Sequence, residues 1–232
     1  MKNIIIDNRM RQIEKSKLIE LGYNLMELEE NNVVYKEISA HVDIFALEMG
    51  DKLIVEKSTY DKLKNKFNNI EVICGNSYVG SKYPYDIKYN VCLVGKNAIH
   101  NFKYTDDKIL EILKEESYNL IDVSQGYSNC SIAVIDDNSV IVTDKKQAEI
   151  LSENNIDVLL LDYIPDIKLN NSSMKGFIGG AISRIDNNVI VFGDLNKIDK
   201  NNKIRDFIIK RNLNIIDFKN LNVNDYGGII EI

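Results

Sequence analysis

Residues 128–161 have the sequence SNCSIAVIDDNSVIVTDKKQAEILSENNIDVLLL. Two short apolar runs flank Asp136-Asp137-Asn138, residue types that tolerate the positive φ of a tight hairpin. Apolar side chains then recur at helical spacing, and the stretch ends in a continuous apolar run, which is typical of a buried strand. The stretch therefore predicts, in order, strand 131–135, turn 136–138, strand 140–142, helix 145–154 and strand 158–161.

The same ββαβ order of elements recurs three more times along the chain. The hairpin turns are centred at Gly50, Lys96, Asp137 and Asn187, which lie 46, 41 and 50 residues apart. A repeat of this length indicates copies of one supersecondary unit that bury their apolar faces against each other. The predicted copies occupy residues 41–75, 88–123, 128–162 and 176–218.

The two ends of the chain carry parts of a fifth copy. Residues 1–28 predict a strand, a helix and a strand, which is a unit without its first strand, and residues 225–232 predict a single strand. If the last strand pairs with the first, the ends complete the unit and close a ring without exposed sheet edges. We therefore expect one α/β domain over residues 1–232, a five-bladed, pseudo-symmetric propeller of ββαβ units.

Composition limits the partners and the compartment. The 232 residues include 29 Lys and Arg against 35 Asp and Glu, and the net charge of −6 argues against general nucleic-acid binding. Three cysteines without paired spacing, no signal peptide and no apolar run of membrane-spanning length are typical of a cytoplasmic protein. The sequence predicts no metal site, no nucleotide cofactor and no membrane contact, and it leaves the oligomeric state open.

Five ββαβ units around one axis resemble the pentein, or β/α-propeller, superfamily. Its members include guanidino-group-modifying deiminases, dimethylargininases and amidinotransferases, and also a non-enzymatic translation initiation factor. The most specific local match is the segment His41-Val42-Asp43-Ile44-Phe45-Ala46, which resembles the His-x-Asp segment that opens a blade in deiminases. Residues 125–131, 176–180 and 225–230 are similar to a bacterial branch of small single-domain penteins.

The resemblance implies a thiol-dependent hydrolase or transferase that acts on a small guanidino or amidino compound. In the enzymes the nucleophilic Cys opens a blade two blades after the His-x-Asp blade, and here Cys130 opens the third copy and His41 the first. By this resemblance Cys130 is the nucleophile and His41 the general acid and base. One departure is that the enzymes carry the Cys near the C-terminus, whereas no Cys follows Gly227-Gly228 in this chain.

A guanidinium carbon is a poor electrophile, so its site also needs carboxylates that hold the N–H groups in a fork. The resemblance implies Asp43 for this role, with a further carboxylate from the fourth copy, either Asp194 or Asp186. The small polar or cationic ligand would meet this set of predicted substrate-binding residues: Asp43, Gln125, Tyr127, Asn129, Gly179, Gly180, Asp194 and Asp225.

Simpler interpretations stand beside each of these roles. Cys130 adjoins an apolar strand, and a free Cys in that position is more often part of the core; the same holds for Cys74 and Cys92. His41 is equally consistent with a residue bonded to a backbone carbonyl, and His100 is expected to be structural. The alternative function is a non-catalytic pentein that binds a small ligand or a protein partner.

Overall fold

The computed structural model describes residues 2–170 and 172–232, so Met1 and Asn171 of the predicted domain lie outside the described residues. The helices are α1 Gln12–Glu20, α2 Val42–Phe45, α3 Lys57–Leu63, α4 Asp107–Glu115, α5 Ser128–Ser131, α6 Lys145–Glu153, α7 Ile178–Ala181 and α8 Lys203–Ile209. Short 3-10 helices lie at Lys36–Ile38, Leu195–Lys197 and Lys200–Asn202.

The strands are short, as a chain of tight hairpins requires. In chain order they are β1 Lys2–Asp7, β2 Tyr23–Leu28, β3 Ala46–Met49, β4 Lys52–Val55, β5 Glu71–Cys74, β6 Cys92–Val94, β7 Asn97–His100, β8 Asn119–Asp122, β9 Ala133–Asp136, β10 Ser139–Val142, β11 Asp157–Leu160, β12 Ile167–Leu169, β13 Ile182–Ile185, β14 Asn188–Val191, β15 Asn214–Ile216, β16 Val223–Asp225 and β17 Ile230–Glu231.

Five three-stranded sheets share one connectivity. In each, the first strand pairs antiparallel with the second, and a helix connects the second strand to a parallel third strand. A tight turn joins the first two strands in four of the sheets, whereas in the fifth these two strands lie at opposite ends of the chain. The sheets are β3-β4-β5, β6-β7-β8, β9-β10-β11, β13-β14-β15 and β17-β1-β2. Four of these sheets therefore have their elements in ββαβ order along the chain.

The sheet β17-β1-β2 joins the two ends of the chain. Ile5 pairs with Ile230 and Ile4 with Glu231 in antiparallel register, while β1 runs parallel to β2. The terminal strands thus complete the fifth unit. The described residues form separate small sheets and no closed sheet, so the arrangement of the five units in a closed propeller stays a prediction.

The middle strand of each sheet lies in the core. Residues 53–55 of β4, 140–142 of β10 and 189–191 of β14 are fully buried because a helix covers one face and a neighbouring sheet the other. The third strands, which the apolar run at 158–161 predicts to be buried on both faces, are only half-buried. Their outer position explains the difference, since each has just one neighbouring strand.

Two features differ from the sequence-based expectation. The one-turn helices α2, α5 and α7, which the repeat does not predict, precede the first strands of three copies. In addition, β12 and β16 form a parallel two-stranded sheet that no repeat predicts. Strands of three residues are too short to show a hydrophobic period, so only tertiary pairing reveals them. None of the helices formed by residues 2–170 and 172–232 has the length and apolar character that a membrane span requires.

Candidate functional site

The thiol of Cys130 lies among polar side chains from distant parts of the chain. Its Sγ donates a hydrogen bond of 2.9 Å to Oδ2 of Asp43, and Nδ2 of Asn90 lies 3.3 Å from Sγ. Asn129 donates to the same Asp43 oxygen at 3.3 Å. The one-turn helices α2 and α5 supply Asp43 and Cys130, so the helical turns place both side chains at the same end of their sheets.

Asn90 fixes this arrangement from the loop that precedes β6. Its Oδ1 accepts hydrogen bonds from the backbone N–H groups of Asn129 and Cys130, at 3.0 and 3.3 Å. Its Nδ2 also donates to the carbonyl of Asp43 at 3.2 Å. One amide side chain therefore fixes the position of α2 relative to α5, which is a role that the sequence does not indicate.

His41 lies between two buried carboxylates. Its Nε2 is 3.9 Å from Oδ2 of Asp7, and its Nδ1 is 3.8 Å from Oδ1 of Asp225. Neither ring nitrogen has a hydrogen-bond partner among residues 2–170 and 172–232, and the side chain is fully buried. The imidazole is thus buried between the two carboxylates, within 4 Å of each.

Asp225 ends β16 and is held by the backbone. Its Oδ2 accepts from the N–H of Phe177 at 2.8 Å and its Oδ1 from the N–H of Gly227 at 2.9 Å. A Cβ at position 180 would overlap Oδ1 of Asp225, so Gly180 lets the backbone of α7 pack directly against this carboxylate.

Gly227 makes a second close approach. Its φ is +70°, and a Cβ there would lie 2.6 Å from both Oδ1 of Asp43 and Cβ of His41. Only glycine combines that backbone conformation with the available space. The Gly227-Gly228 pair thus allows the carboxylate and the imidazole to flank one strand end.

Burial sets the protonation states of the cluster. It raises the pKa of Asp43 to about 6 and that of Asp225 to about 7, and it lowers the pKa of His41 to about 3 with help from the charge of Arg9. The pKa of the Cys130 thiol lies well above its usual value, first because of burial and then because of the charges of Asp43 and Asp225. The closed site therefore holds a neutral thiol and a neutral imidazole at pH 7.

Arg9 is the cation that balances part of this negative charge. It forms an ion pair with the fully buried Asp7 at 2.7 Å. Asp43 and Asp225 form no ion pair with a Lys or Arg in the part of the chain that the structure describes. Two buried carboxylates beside the thiol are thus left without a permanent cationic partner.

An aromatic cover, formed by Tyr35, Tyr83, Tyr127 and Phe177, lies on the outer side of the cluster. The hydroxyl of Tyr127 donates to Oδ2 of Asp86 at 2.7 Å and lies 3.1 Å from the hydroxyl of Tyr35. Its ring also packs 5.8 Å from Tyr83 and 6.1 Å from Phe177, centroid to centroid. Tyr127 therefore ties together the loops that precede α2 and β6.

A cavity of about 480 Å³ adjoins the cluster from the other side. Residues of the first strand of every three-stranded sheet line it, namely Leu47 in β3, Leu93 in β6, Val134 in β9, Ser183 in β13 and Ile230 in β17. Asp43, Asn129 and Gly179 lie at its inner end. The cavity is therefore a channel bordered by all five sheets, and it leads to the site.

The structure brings most of the predicted site residues together. Cys130, Asp43, Asn129, His41 and Asp225 form one buried cluster. Gly179 and Gly180 pack against it, since a Cβ at 179 would overlap the carbonyl of Asn129. Tyr127 belongs to the cover, one layer further out.

Three predicted residues lie elsewhere. Gln125 shapes the turn before α5, where its Oε1 accepts from the N–H of Tyr127 at 3.0 Å. Asp194 caps a 3-10 helix, because its carboxylate accepts from the N–H groups of Asn196 and Asn220. Asp186 sits in the hairpin turn between β13 and β14 and pairs with Lys2. The structure thus places neither fourth-copy carboxylate in the cluster.

Asp7 and Asn90 are site residues that the sequence-based reasoning missed. Asp7 ends β1 directly after an apolar run and precedes Arg9 by two residues, a charge pattern at a strand end that is detectable in the sequence. Asn90 gives no comparable signal. The remaining candidates behave as expected for packing or structural groups: Cys92 is buried in the core, and both His100 nitrogens are bonded, to Thr105 and to the carbonyl of Gly126.

No group of three or more His, Cys, Asp or Glu within the described residues is arranged to hold a metal ion.

Comparisons with known proteins bear on the fold. Residues 5–230 match a family model described as "Family of unknown function (DUF6873)". A search of curated proteins found no match.

Solved structures give a more informative match. A dimethylarginine dimethylaminohydrolase adduct with S-methyl-L-thiocitrulline is similar with a TM-score of 0.61 at 8% identity, over 100% of this chain and 99% of that chain. A Pseudomonas aeruginosa dimethylarginine dimethylaminohydrolase mutant complexed with citrulline matches with a TM-score of 0.59 at 9% identity, over 100% and 99%. An amidinotransferase from Microseira wollei, of the saxitoxin biosynthetic pathway, matches at 0.52 and 12% identity over 97% and 81%.

These neighbours are members of the pentein superfamily. With identities this low, the similarity concerns the fold alone. The chain therefore has an α/β fold of small sheets like that of the penteins, as the sequence-level resemblance predicts.

Proposed function

The chain belongs to the family of unknown function DUF6873, and we propose that it is a thiol-dependent hydrolase or amidinotransferase acting on a small guanidino or amidino compound. In this proposal residues 1–232 form one domain. The five ββαβ units surround the central channel as blades of a closed propeller, and two facts support this arrangement. The first strands of all five sheets line one cavity, and β17 pairs with β1.

One observation carries the proposal: two buried carboxylates without a permanent cation lie next to a buried thiol. Asp43 accepts the hydrogen bond of Cys130, and the charges of Asp43 and Asp225 both raise the pKa of the thiol. A buried carboxylate is costly unless a cation or hydrogen bonds compensate it. A guanidinium ion is planar and carries N–H groups in a fork, so it can bind carboxylates and supply the missing positive charge.

Binding of that cation also activates the nucleophile. A positive charge near Asp43 and Asp225 offsets the negative charges that hold the proton on Cys130, so the pKa of the thiol falls when the substrate is bound. The thiol proton then passes through Asp43 to the imidazole of His41, which becomes the imidazolium, and the thiolate attacks the guanidinium carbon. The same carboxylates thus keep the thiol protonated in the empty site and orient the substrate in the occupied one.

His41 completes the reaction as the acid and base. After the S–C bond forms, the C–N bond to one amine breaks and the imidazolium gives that amine its proton, which leaves a covalent thiouronium on Cys130. The neutral imidazole then takes a proton from water, or from an acceptor amine, that attacks the same carbon and releases the thiolate. Its position 3.8 Å from Asp225 suits this role, because the carboxylate stabilises the imidazolium.

A second candidate function has its own supporting observation. In the closed site the thiol is protonated, the imidazole is neutral, and both side chains are at most 3% exposed. A pentein that binds a cationic ligand between Asp43 and Asp225 without forming a covalent bond would have the same structure. The two candidates share the ligand and differ only in whether Cys130 reacts.

The test uses a panel of guanidino and amidino compounds with three proteins: wild type, Cys130→Ala and Cys74→Ala. We expect release of ammonia or an amine by wild type and by Cys74→Ala, which retains the buried thiol, and no release by Cys130→Ala. Intact-protein mass spectrometry after an acid quench should show the amidino adduct on Cys130. Ligand binding without release or adduct in wild type would establish the non-catalytic function, and absence of binding would refute both.

A further inference from the structure

The central channel has an outer end as well as the inner end that meets the site. Its lining extends from Asp43 and Gly179 past Ser183 to Glu48, Asp137 and Glu231, which lie near the hairpin turns. Asp43 is 3% exposed, whereas the side chain of Asp137 is 89% exposed. The channel therefore leads from solvent at the hairpin turns to a buried carboxylate.

The inner end presents an unsatisfied acceptor. Oδ1 of Asp43 accepts no hydrogen bond from any residue in 2–170 or 172–232, although the side chain is buried. The backbone of Gly227 packs closely against this oxygen on one side, whereas Asp43 and Gly228 both line the channel. A buried acceptor of this kind calls for a donor, and the channel is the route by which one can arrive.

The outer end has more acidic than basic side chains. Lys2 pairs with Asp186 and Glu231, and Arg184 pairs with Asp137. Glu48 also lines the channel, is half-buried, and forms no ion pair within the described part of the chain. Two cations thus face four carboxylates at this end, and Glu48 is the one that remains unpaired.

The route through the channel is more direct than the route through the aromatic cover. On the outer side of the cluster, the hydroxyl of Tyr127 bridges Asp86 and Tyr35, and rings pack on both of its sides. On the channel side, Asp43 and Asn129 already line the open volume. Entry by the channel needs no hydrogen bond of the cover to break.

We propose that the channel binds a linear dication that enters at the hairpin turns, with its guanidinium or amidinium group at Asp43 and a second cationic group, an ammonium or guanidinium, at Glu48. This inference rests on the proposed function for the identity of the inner group. Asp43 and Glu48 are five residues apart in the sequence. Three residues with the rise of a helix and two with the rise of a strand give a separation of about 11 Å along the chain. A chain of about six methylene groups spans that distance once the reach of both carboxylates is included.

The test compares two probes of equal length, 1-amino-6-guanidinohexane and hexylguanidine, by titration calorimetry. Wild type should bind the amine-bearing probe at least about tenfold more tightly, because only this probe reaches Glu48 with a charge. Glu48→Gln should remove that preference and leave the affinity for hexylguanidine unchanged. Glu71→Gln, at an exposed acid on an outer strand, is the matched control and should behave as wild type.

The route is tested by filling the channel between its ends. Ser183→Phe and, independently, Val134→Phe should each weaken the binding of both probes at least about tenfold, with circular dichroism confirming the fold of whichever variant is used. Unchanged affinity in a folded filled variant would overturn the channel route. Equal binding of both probes by wild type would overturn the role of Glu48 while the proposed function stands, and binding of neither probe would refute both.

Discussion

The thiol of Cys130 donates a hydrogen bond of 2.9 Å to Oδ2 of Asp43, a residue 87 positions earlier in the chain. The bond links the start of the third ββαβ copy to the start of the first. Burial is the main cause of the raised pKa of the thiol, and the charge of the Asp43 carboxylate adds to it, so the thiol stays protonated. The protonation state of Cys130 therefore depends in part on a residue from another copy of the repeat.

Replacement of this carboxylate should make the thiol more acidic. In Asp43→Asn the side chain keeps its shape and one acceptor oxygen but loses the charge that raises the pKa of Cys130. We expect the midpoint of the pH profile for alkylation by iodoacetamide to fall by about one unit, which is about a tenfold gain in rate on the rising limb. The measurement is made with Cys74 replaced by Ser, since Cys74 is only half-buried.

Asp61→Asn is the control for that experiment, because Asp61 is an exposed acid on α3. It should leave the alkylation midpoint where it is in the parent protein. An Asp43→Asn profile that coincides with the parent profile would contradict the electrostatic role of Asp43.

Tyr127→Phe should loosen the aromatic cover without changing the acidity of the thiol. The substitution removes the hydroxyl that bridges Asp86 and Tyr35 and keeps the ring that packs against Tyr83 and Phe177. We expect a severalfold higher alkylation rate of Cys130 at every pH, with the same midpoint, because the hydrogen bonds of the closed cover are lost.

Tyr85→Phe is a matched control, since Tyr85 is 60% exposed and lies beside Asp86 in the loop before β6. Its alkylation rate should equal that of the parent protein. If Tyr127→Phe and Tyr85→Phe react alike, the hydrogen bonds of Tyr127 do not control access to the thiol.

Two glycines with the same backbone conformation should respond differently to a methyl group. Gly50 has φ +68° and no atom within 4 Å of the position a Cβ would take, whereas at Gly227, with φ +70°, the Cβ would lie 2.6 Å from Asp43 and His41. Gly50→Ala should therefore cost about 1 kcal/mol of backbone strain. Gly227→Ala should cost about 3 kcal/mol or more, because the strain is joined by overlap with the cluster.

Urea unfolding of the two variants measures this difference. The comparison cancels the strain term that both share, so the excess cost at Gly227 reports how tightly the strand end packs against the site. Equal free energies of unfolding for the two variants would show that the residues of the cluster move to accommodate the methyl group without cost.

The sequence was sufficient to predict the local units but not every pairing. Asn, Asp and Gly turns at a near-constant spacing identified the hairpins, because few other residues adopt positive φ at low cost. The same reasoning missed the pair β12 and β16, whose three-residue strands carry no period. It also did not predict α5, the helical turn that precedes the strand expected at 131–135, since a four-residue helix is held by packing rather than by propensity.

The candidate site was predictable where residue type implies chemistry. The copy count placed Cys130 and His41 at equivalent starts, and the structure puts both in one cluster with Asp43. Asn90 could not be found in this way, because an amide that organises two backbone segments looks like any loop Asn. Asp194 failed to join the cluster because its carboxylate is used locally to cap the chain.

Asp225 should make stability depend on pH. Its pKa is raised from 3.8 to about 7 in the folded protein, first by burial, so the folded state binds this proton more tightly than the unfolded state does. The stabilising contribution is complete below pH 3.8 and is lost as the pH rises through 7. Between pH 5 and pH 8, loss of this contribution should lower the free energy of unfolding of wild type by about 3 kcal/mol.

Asp225→Asn does not titrate, yet it resembles the protonated carboxyl group in shape and keeps one acceptor for the N–H of Phe177 or Gly227. The free energy of unfolding of the variant should therefore rise relative to wild type by about 3 kcal/mol from pH 5 to pH 8. His41 and Asp43 also titrate with shifted pKa values, but both proteins carry them, so the difference between the two proteins reports the carboxyl group of Asp225 together with its coupling to these neighbours. Urea unfolding at pH 5, 6.5 and 8 gives the free energy of unfolding of each protein as a function of pH. Parallel pH dependences in the two proteins would show that the carboxyl group of Asp225 has an ordinary pKa.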